Sequence, residues 1–372
     1  MADLIAIDLP AGMPFVEAVR AAWDRGDAVM PIDSRLPPAA RAALLDAMQP
    51  TRLVDADGER ALDGGRPVEP GDAVVMPTSG STGIPKGVVL THDAMAASAH
   101  ATAARLGVGP TDRWLACLPL AHIGGFSVIT KAIMNGTPLT ILPGFEATAV
   151  EVAARDGATL VSLVATALQR IDPSLFRVIV LGGSRPPADR PPNCVTTYGM
   201  TETGSGIVYD GVQLDDVELR IAPDGEVLVR GPMLLRCYRD GTTPIDADGW
   251  LHTDDVGRLA DGRLQVDGRR GDLIVTGGEN VWPDTVERVL QAHPDVGEVA
   301  VAGVDDDQWG QRVVAWVVPF AGAHPSLAGL RAFVAESLPT FMAPKELVLV
   351  SSIPRTVLGK VIRTALSRAH SA

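Results

Sequence analysis

The sequence predicts an α/β protein: a large N-terminal domain of parallel sheets covered by helices with an appended β subdomain, then a small, mobile α+β C-terminal domain. Three observations carry this. Between residues 73 and 198, short apolar runs alternate with helix-period segments, the pattern of a parallel sheet buried on both faces. From about Val212 the texture changes to short alternating strands around turn signals, Pro223-Asp224-Gly225 and Asp261-Gly262. Beyond Gly268-Arg269-Arg270-Gly271-Asp272 a further α+β segment begins, of a size able to fold alone. The expected domains are therefore 1–270 and 271–372.

Composition narrows the function. At 372 residues and 46% hydrophobic, the chain can bury two cores. A net charge of −13 argues against nonspecific nucleic-acid binding, which needs a basic face. An anionic ligand would need local cations to overcome that field, and Lys86, Arg269 and Lys360 are candidates. Cys117, Cys194 and Cys237 form no CxxC pair, so neither a disulfide framework nor a zinc site is expected. The N-terminus lacks a basic stretch followed by a long apolar run, and no apolar run is long enough to span a membrane. The expected compartment is the cytoplasm.

Taken in order, residues 1–72 carry helices at Pro14–Asp24 and Pro38–Met48. Ala73–Met76 reads as a buried strand leading into a glycine- and hydroxyl-rich loop. Thr91 can cap a helix over Asp93–Leu106 that Gly107 ends. Strand Arg113–Leu118, helix Ser127–Met134, strand Pro138–Leu142 and helix Ala147–Asp156 follow. Then come strand Thr159–Leu163, helix Ala165–Ile171 and strands Arg177–Leu181 and Cys194–Tyr198. The hairpin strands Val217–Ile221 and Glu226–Arg230 lead to Leu259 and Leu264–Val266. The last segment reads strand Leu273–Thr276, helix Asp284–Ala292, strands Glu298–Val304 and Gln311–Pro319, helix Leu327–Leu338 and strand Glu346–Val350.

Polar, glycine-bearing loops follow three of these strands: Pro77–Gly87 (PTSGSTGIPKG), Gly182-Gly183-Ser184 and Tyr198-Gly199-Met200-Thr201-Glu202. Ligands of open α/β sheets bind beyond the carboxyl ends of strands, so the three loops are placed to converge on one crevice. In the first, Gly80, Gly83 and Gly87 let backbone amides approach an anion. Thr78, Ser79, Ser81 and Thr82 add neutral donors and Lys86 a charge, together a phosphate cradle. It is not a Walker A loop, because Gly87 stands where that motif has its magnesium-binding hydroxyl. In the third loop, an aromatic at a strand end can stack on a purine, and a nearby carboxylate can hold Mg²⁺ together with substrate phosphates.

Five motifs, in the order and spacing of the chain from residue 73 onward, resemble those of the acyl-adenylate-forming superfamily. They are the cradle, Tyr198–Glu202, Thr253-Asp254-Asp255, the Arg269–Asp272 segment and Pro354-Arg355-Thr356-Val357-Leu358-Gly359-Lys360-Val361-Ile362-Arg363. The superfamily joins a carboxylic acid to ATP as an acyl-adenylate, releasing pyrophosphate, and passes the acyl group to a thiol, usually that of CoA. The resemblance implies adenine stacking by Tyr198, phosphate contact by Thr201, and magnesium held by Glu202. It implies ribose contacts by Asp255 and Arg269, and charge neutralisation by Lys360 between the acid and the α-phosphate. It places a hinge at Gly271-Asp272 and a pantetheine path along Gly277-Gly278, and makes His122, in a Leu-Pro-x-x-His segment, a gate of the acyl site. Asp254 stands where the superfamily usually has glycine.

The expected cosubstrates are ATP and CoA with Mg²⁺, alongside a small carboxylic acid. No aspartate follows His122 in Ile123-Gly124-Gly125-Phe126, against an amino-acid substrate. Short length before the cradle and the stretch Tyr198–Val217 resemble the o-succinylbenzoate–CoA ligases of menaquinone biosynthesis. Their substrate is dianionic, and Ser184, Ser205, Arg185 and Lys131 are candidates for its second carboxylate. Another short-chain or aromatic acyl-CoA synthetase, a domain loading a carrier protein, and a nucleotide-binding sensor remain alternatives. A homodimer is expected by fold-level analogy only.

Overall fold

The computed structural model describes residues 1–79, 85–183, 189–355 and 361–371. They form two compact units: Met1–Leu219 with Leu228–His252, and Arg220–Val227 with Thr253–Ala372.

The first unit contains two seven-stranded sheets. One runs in the order Cys237–Tyr238, Pro85–Thr91, Asp72–Ser79, Ala28–Pro31, Leu4–Ile7, Arg52–Asp55, Gly58–Ala61. Its centre is parallel and fully buried, with Leu4, Ile7, Ala28 and Met30 at 0% exposure. The other runs Val212–Gln213, Ser205–Tyr209, Cys194–Met200, Val178–Leu181, Leu160–Leu163, Trp114–Ala116, Leu139–Ile141. Its strands from Cys194 to Ile141 pair in parallel, as alternation with helices predicts.

The expected elements are present with shifted ends, and four differences matter. Residues 1–72 contain four strands besides the two helices, because runs such as Leu4–Ile7 are short, apolar on both faces and without period. The lysine end of the cradle is not loop: Pro85–Thr91 is a strand, antiparallel to Asp72–Ser79. The helix expected from Ser127 begins at Ile123 and runs to Asn135. A Cβ at Gly125 would lie 2.3 Å from the Pro119 carbonyl oxygen, so glycine is what lets the helix pack there. Between the strand expected at Leu273–Thr276 and the helix expected from Asp284 lies a further strand, Glu279–Val281, paired with Ile274–Thr276.

A third, four-stranded sheet consists of Glu218–Ile221, Glu226–Arg230, Leu251–Ala260 and Arg263–Arg269, in that order. The second unit has a five-stranded sheet with the long antiparallel pair Val296–Asp306 and Gly310–Pro319 at its middle. Helices Pro283–Leu290 and Leu327–Ala335 cover it through Val286, Leu290, Leu330 and Val334, all at 0% exposure. Among the described residues, no helix is long and apolar enough to cross a membrane.

Candidate active site

The base of the cradle is a hairpin. Thr78 and Lys86 face each other across it, and Thr78 Oγ1 donates to the Lys86 carbonyl at 3.3 Å. Lys86 is exposed, and its Nζ lies 4.9 Å from the centroid of the Tyr238 ring. The hydroxyl of that same tyrosine donates to Glu202 Oε1 at 3.0 Å. The first and third loops of the sequence therefore meet at Tyr238, a residue that sequence reasoning missed. Nothing in Arg236-Cys237-Tyr238-Arg239 announced it. Only the pairing of Cys237–Tyr238 with Pro85–Thr91 brings it there.

Thr201, Glu202 and Thr203 form a single 3-10 turn after strand Cys194–Met200, tied by Met200 N donating to Thr203 Oγ1 and by Thr203 Oγ1 donating to Ser205 O. Tyr198 ends the regular part of that strand, opposite Val208, and a bulge follows between Tyr198 and Gly199. A Cβ on Gly199 would lie 2.2 Å from Ser205 O. The bulge therefore requires glycine, for close approach of backbone to backbone. Gly182, after the neighbouring strand, lies against Thr197, and Gly183 has φ +82°. Gly80, Ser81, Thr82, Gly83, Ser184, Arg185 and Lys360 lie outside the described residues, and so does the side chain of Ser79.

His122 directly precedes helix Ile123–Asn135. Its Nε2 stands 3.6 Å from Asp33 Oδ2, within ion-pair range but beyond hydrogen-bond distance, and among the described residues it is buried without a hydrogen-bond partner. Burial holds its pKa below the usual range, although the Asp33 carboxylate opposes this. Asp33 is in turn kept low by Arg35, whose Nε and Nη2 donate to it at 2.8 and 2.7 Å.

Of the four candidates for a second carboxylate, two come together. Lys131, 2% exposed, donates to Ser205 Oγ at 2.7 Å and to Ser127 Oγ at 3.4 Å, and its ammonium lies 5.9 Å from the Trp114 ring. Burial pushes its pKa down to about 7, and among the described residues no carboxylate pairs with it. A buried cation is costly unless an anion compensates it.

In the second unit Asp255 and Arg269 are direct cross-strand partners in the hairpin Leu251–Ala260 and Arg263–Arg269. The two residues to which the resemblance assigns the ribose thus share one face. Asp254 takes φ +59°, the left-handed conformation that glycine adopts without cost. Its N–H donates to Glu226 Oε1 and that of Asp255 to Thr253 Oγ1. Gly277 and Gly278 form the exposed turn between Ile274–Thr276 and Glu279–Val281, with Gly277 N donating to Trp309 O at 2.8 Å. Gly271 lies in a 3-10 turn without positive φ, and an added Cβ would meet nothing. Arg363, at the end of the lysine motif, is gripped by Asp284 and by both oxygens of Glu287.

Among the described residues no group of three or more His, Cys, Asp or Glu is arranged to hold a metal. Mg²⁺ in nucleotide sites keeps its waters and takes one or two carboxylates plus substrate phosphates. Glu202, half-buried and with Oε1 held by Tyr238, could supply such a carboxylate.

Comparison with known proteins identifies the family. The model of the AMP-binding enzymes matches residues 56–239, and that of the AMP-binding enzyme C-terminal domain matches residues 285–360. A Mycobacterium tuberculosis protein named "Probable 2-succinylbenzoate--CoA ligase" is 40% identical over 337 residues, covering 83% of this chain and 87% of the relative. The 2-succinylbenzoate–CoA ligase of Geobacillus kaustophilus is 38% identical over 339 residues, covering 80% and 69%. The o-succinylbenzoate CoA synthetase of Bacillus subtilis, solved with its acyl-adenylate intermediate, superposes with a TM-score of 0.86 at 30% identity, over 98% of this chain and 88% of that one. The chain belongs to the AMP-binding enzymes, in the family of the 2-succinylbenzoate–CoA ligases.

Proposed function

We propose that this protein is an AMP-forming acid–CoA ligase whose acid is o-succinylbenzoate, and that its product feeds menaquinone biosynthesis. The family supports the reaction class, and the buried ammonium of Lys131 carries the choice of acid. One carboxylate of the acid reacts. The other needs a fixed cation away from the reacting atoms, and Lys131 with Ser205 and Ser127 supplies one with two hydroxyls beside it.

In the first half-reaction an oxygen of the reacting carboxylate attacks the α-phosphorus of ATP and pyrophosphate leaves. In the second, the thiol sulfur of CoA attacks the acyl carbon and AMP leaves. We assign the phosphates to the cradle, Lys86 and Thr201, the adenine to Tyr198 with the Gly182–Ser184 loop, and the ribose to Asp255 and Arg269. Magnesium, held by Glu202 and the phosphates, would lower the negative charge that an attacking carboxylate meets. Lys360 would neutralise charge developing between the acid and the α-phosphate. Residues 271–372 would then turn about Gly271, removing Lys360 and bringing Gly277-Gly278 to the pantetheine, with His122 opening the acyl site. Gly271 is consistent with a hinge, since neither its φ nor its surroundings in this conformation call for glycine.

The test is pyrophosphate release with o-succinylbenzoate and with its analogue lacking the aryl carboxylate, using wild type and Lys131→Met. The proposal requires wild type to prefer the dianion strongly and the variant to lose that preference. Equal preference in both proteins would overturn it.

A further inference from the structure

Tyr238 stands between two residues that the proposed function uses. Its hydroxyl donates to Glu202 Oε1 at 3.0 Å, and its ring carries Lys86 Nζ 4.9 Å from the centroid. The tyrosine is itself well fixed. Tyr238 pairs with Val88 in the short antiparallel ladder, and the next residue, Arg239, donates its N–H to the Gly87 carbonyl. The Arg239 side chain is buried and spans the Met48 and Pro67 carbonyls, each at 3.0 Å, and the Gln49 carbonyl at 3.3 Å. A guanidinium buried against carbonyls is a strong directional anchor, and this one ties the Tyr238 segment to the end of helix Pro38–Met48.

The arrangement has an electrostatic consequence. Glu202 and Lys86 carry opposite charges and contact the same tyrosine, and a direct ion pair between them would neutralise both. Nucleotide and metal would then have to break that pair before engaging either member. With a phenol between them, the ammonium rests on the face of the ring through its quadrupole, and the carboxylate accepts from the hydroxyl. Neither contact cancels a charge, and the hydrogen bond at Oε1 fixes the carboxylate that would hold a metal.

We propose that Tyr238 is a positioning residue for nucleotide binding: it holds Glu202 and Lys86 apart and oriented, so that ATP and magnesium meet both without displacing one from the other. The proposal rests on the reading of Glu202 as the metal ligand and Lys86 as a phosphate ligand.

The experiment is calorimetric titration of the full chain with ATP, in excess Mg²⁺ and in EDTA, without acid or CoA, with thermal unfolding alongside. Tyr238→Phe removes only the hydroxyl. It should weaken binding in Mg²⁺ about three- to tenfold, the cost of ordering one long side chain, while leaving binding in EDTA and the unfolding midpoint unchanged. Tyr238→Leu also removes the ring and should weaken binding in both conditions. Unchanged or tighter binding of Tyr238→Phe in Mg²⁺ overturns the proposal. So does an equal loss with and without metal, the signature of a merely structural role. Glu202→Gln separates the two layers. If its Mg²⁺ dependence matches wild type, the reading of Glu202 fails. If that dependence is lost while Tyr238→Phe behaves as wild type, only the positioning proposal fails.

Discussion

The Nζ of Lys131 lies 2.7 Å from Ser205 Oγ, tying helix Ile123–Asn135 to the strand that follows the Tyr198–Glu202 cluster. An ammonium buried this way costs stability unless an anion joins it, so function and stability should move in opposite directions when it is removed.

Lys131→Met is therefore expected to stabilise the protein and weaken the acid. The sign follows from the pKa, which burial lowers from 10.5 to about 7. Between those values the unfolded chain binds more protons than the folded one, so stability rises with pH across this window, and the burial cost is full below pH 7. The gain from Lys131→Met, read by denaturant unfolding, should be largest below pH 7 and shrink toward pH 10. In wild type the KM for the dianionic acid should climb as pH rises through about 7, while the KM for ATP stays flat. A gain in stability that does not vary with pH would refute the assignment.

Asp254→Gly should stabilise modestly. A left-handed φ of +59° strains a residue with a Cβ, while the hydrogen bond from its N–H to Glu226 needs no side chain. The expected gain is about 0.5 kcal/mol, because aspartate tolerates this region better than most residues and glycine loses more entropy on folding. Thermal unfolding of the single variant decides it.

Asp33→Asn should lower the pKa of His122 further. The Asp33 carboxylate is what opposes burial at that imidazole, and Arg35, which also disfavours the imidazolium, would lose its charged partner. A histidine titration by NMR should show the His122 resonance shifted to lower pH than in wild type. A shift upward would mean that another group governs the imidazole.

Gly199→Ala should be severe. The new methyl would sit 2.2 Å from Ser205 O and 2.7 Å from Gly206 Cα, both backbone atoms that cannot rotate away. A cost of about 3 kcal/mol is expected from overpacking. Displacement of Ser205 should also loosen Lys131, visible as weaker acid binding in whatever protein remains folded.

The parts of this account that were legible in the sequence are those in which chemistry is written locally. The cradle, Tyr198–Glu202 and Thr253–Asp255 are each contiguous, and the alternation of strands and helices gave the parallel sheets a clear signature. Asp255 and Arg269 come together because a hairpin signal at Asp261-Gly262 folds one onto the other. What stayed hidden depends on pairing between distant segments. Tyr238 reaches Lys86 through a two-residue strand that has no period to read. Asp33 meets His122 from a loop far upstream. That Lys131 and Ser205 come together required knowing that a helix and a strand 74 positions apart touch.

The most direct measurement is product analysis by mass spectrometry after incubating the full chain with ATP, Mg²⁺, CoA and a set of acids. The set holds o-succinylbenzoate, benzoate, short fatty acids and several amino acids. The account predicts the CoA thioester of o-succinylbenzoate with AMP and pyrophosphate, strongly diminished by Lys131→Met and by Lys360→Ala. A thioester formed from benzoate or a fatty acid as readily as from o-succinylbenzoate would contradict it.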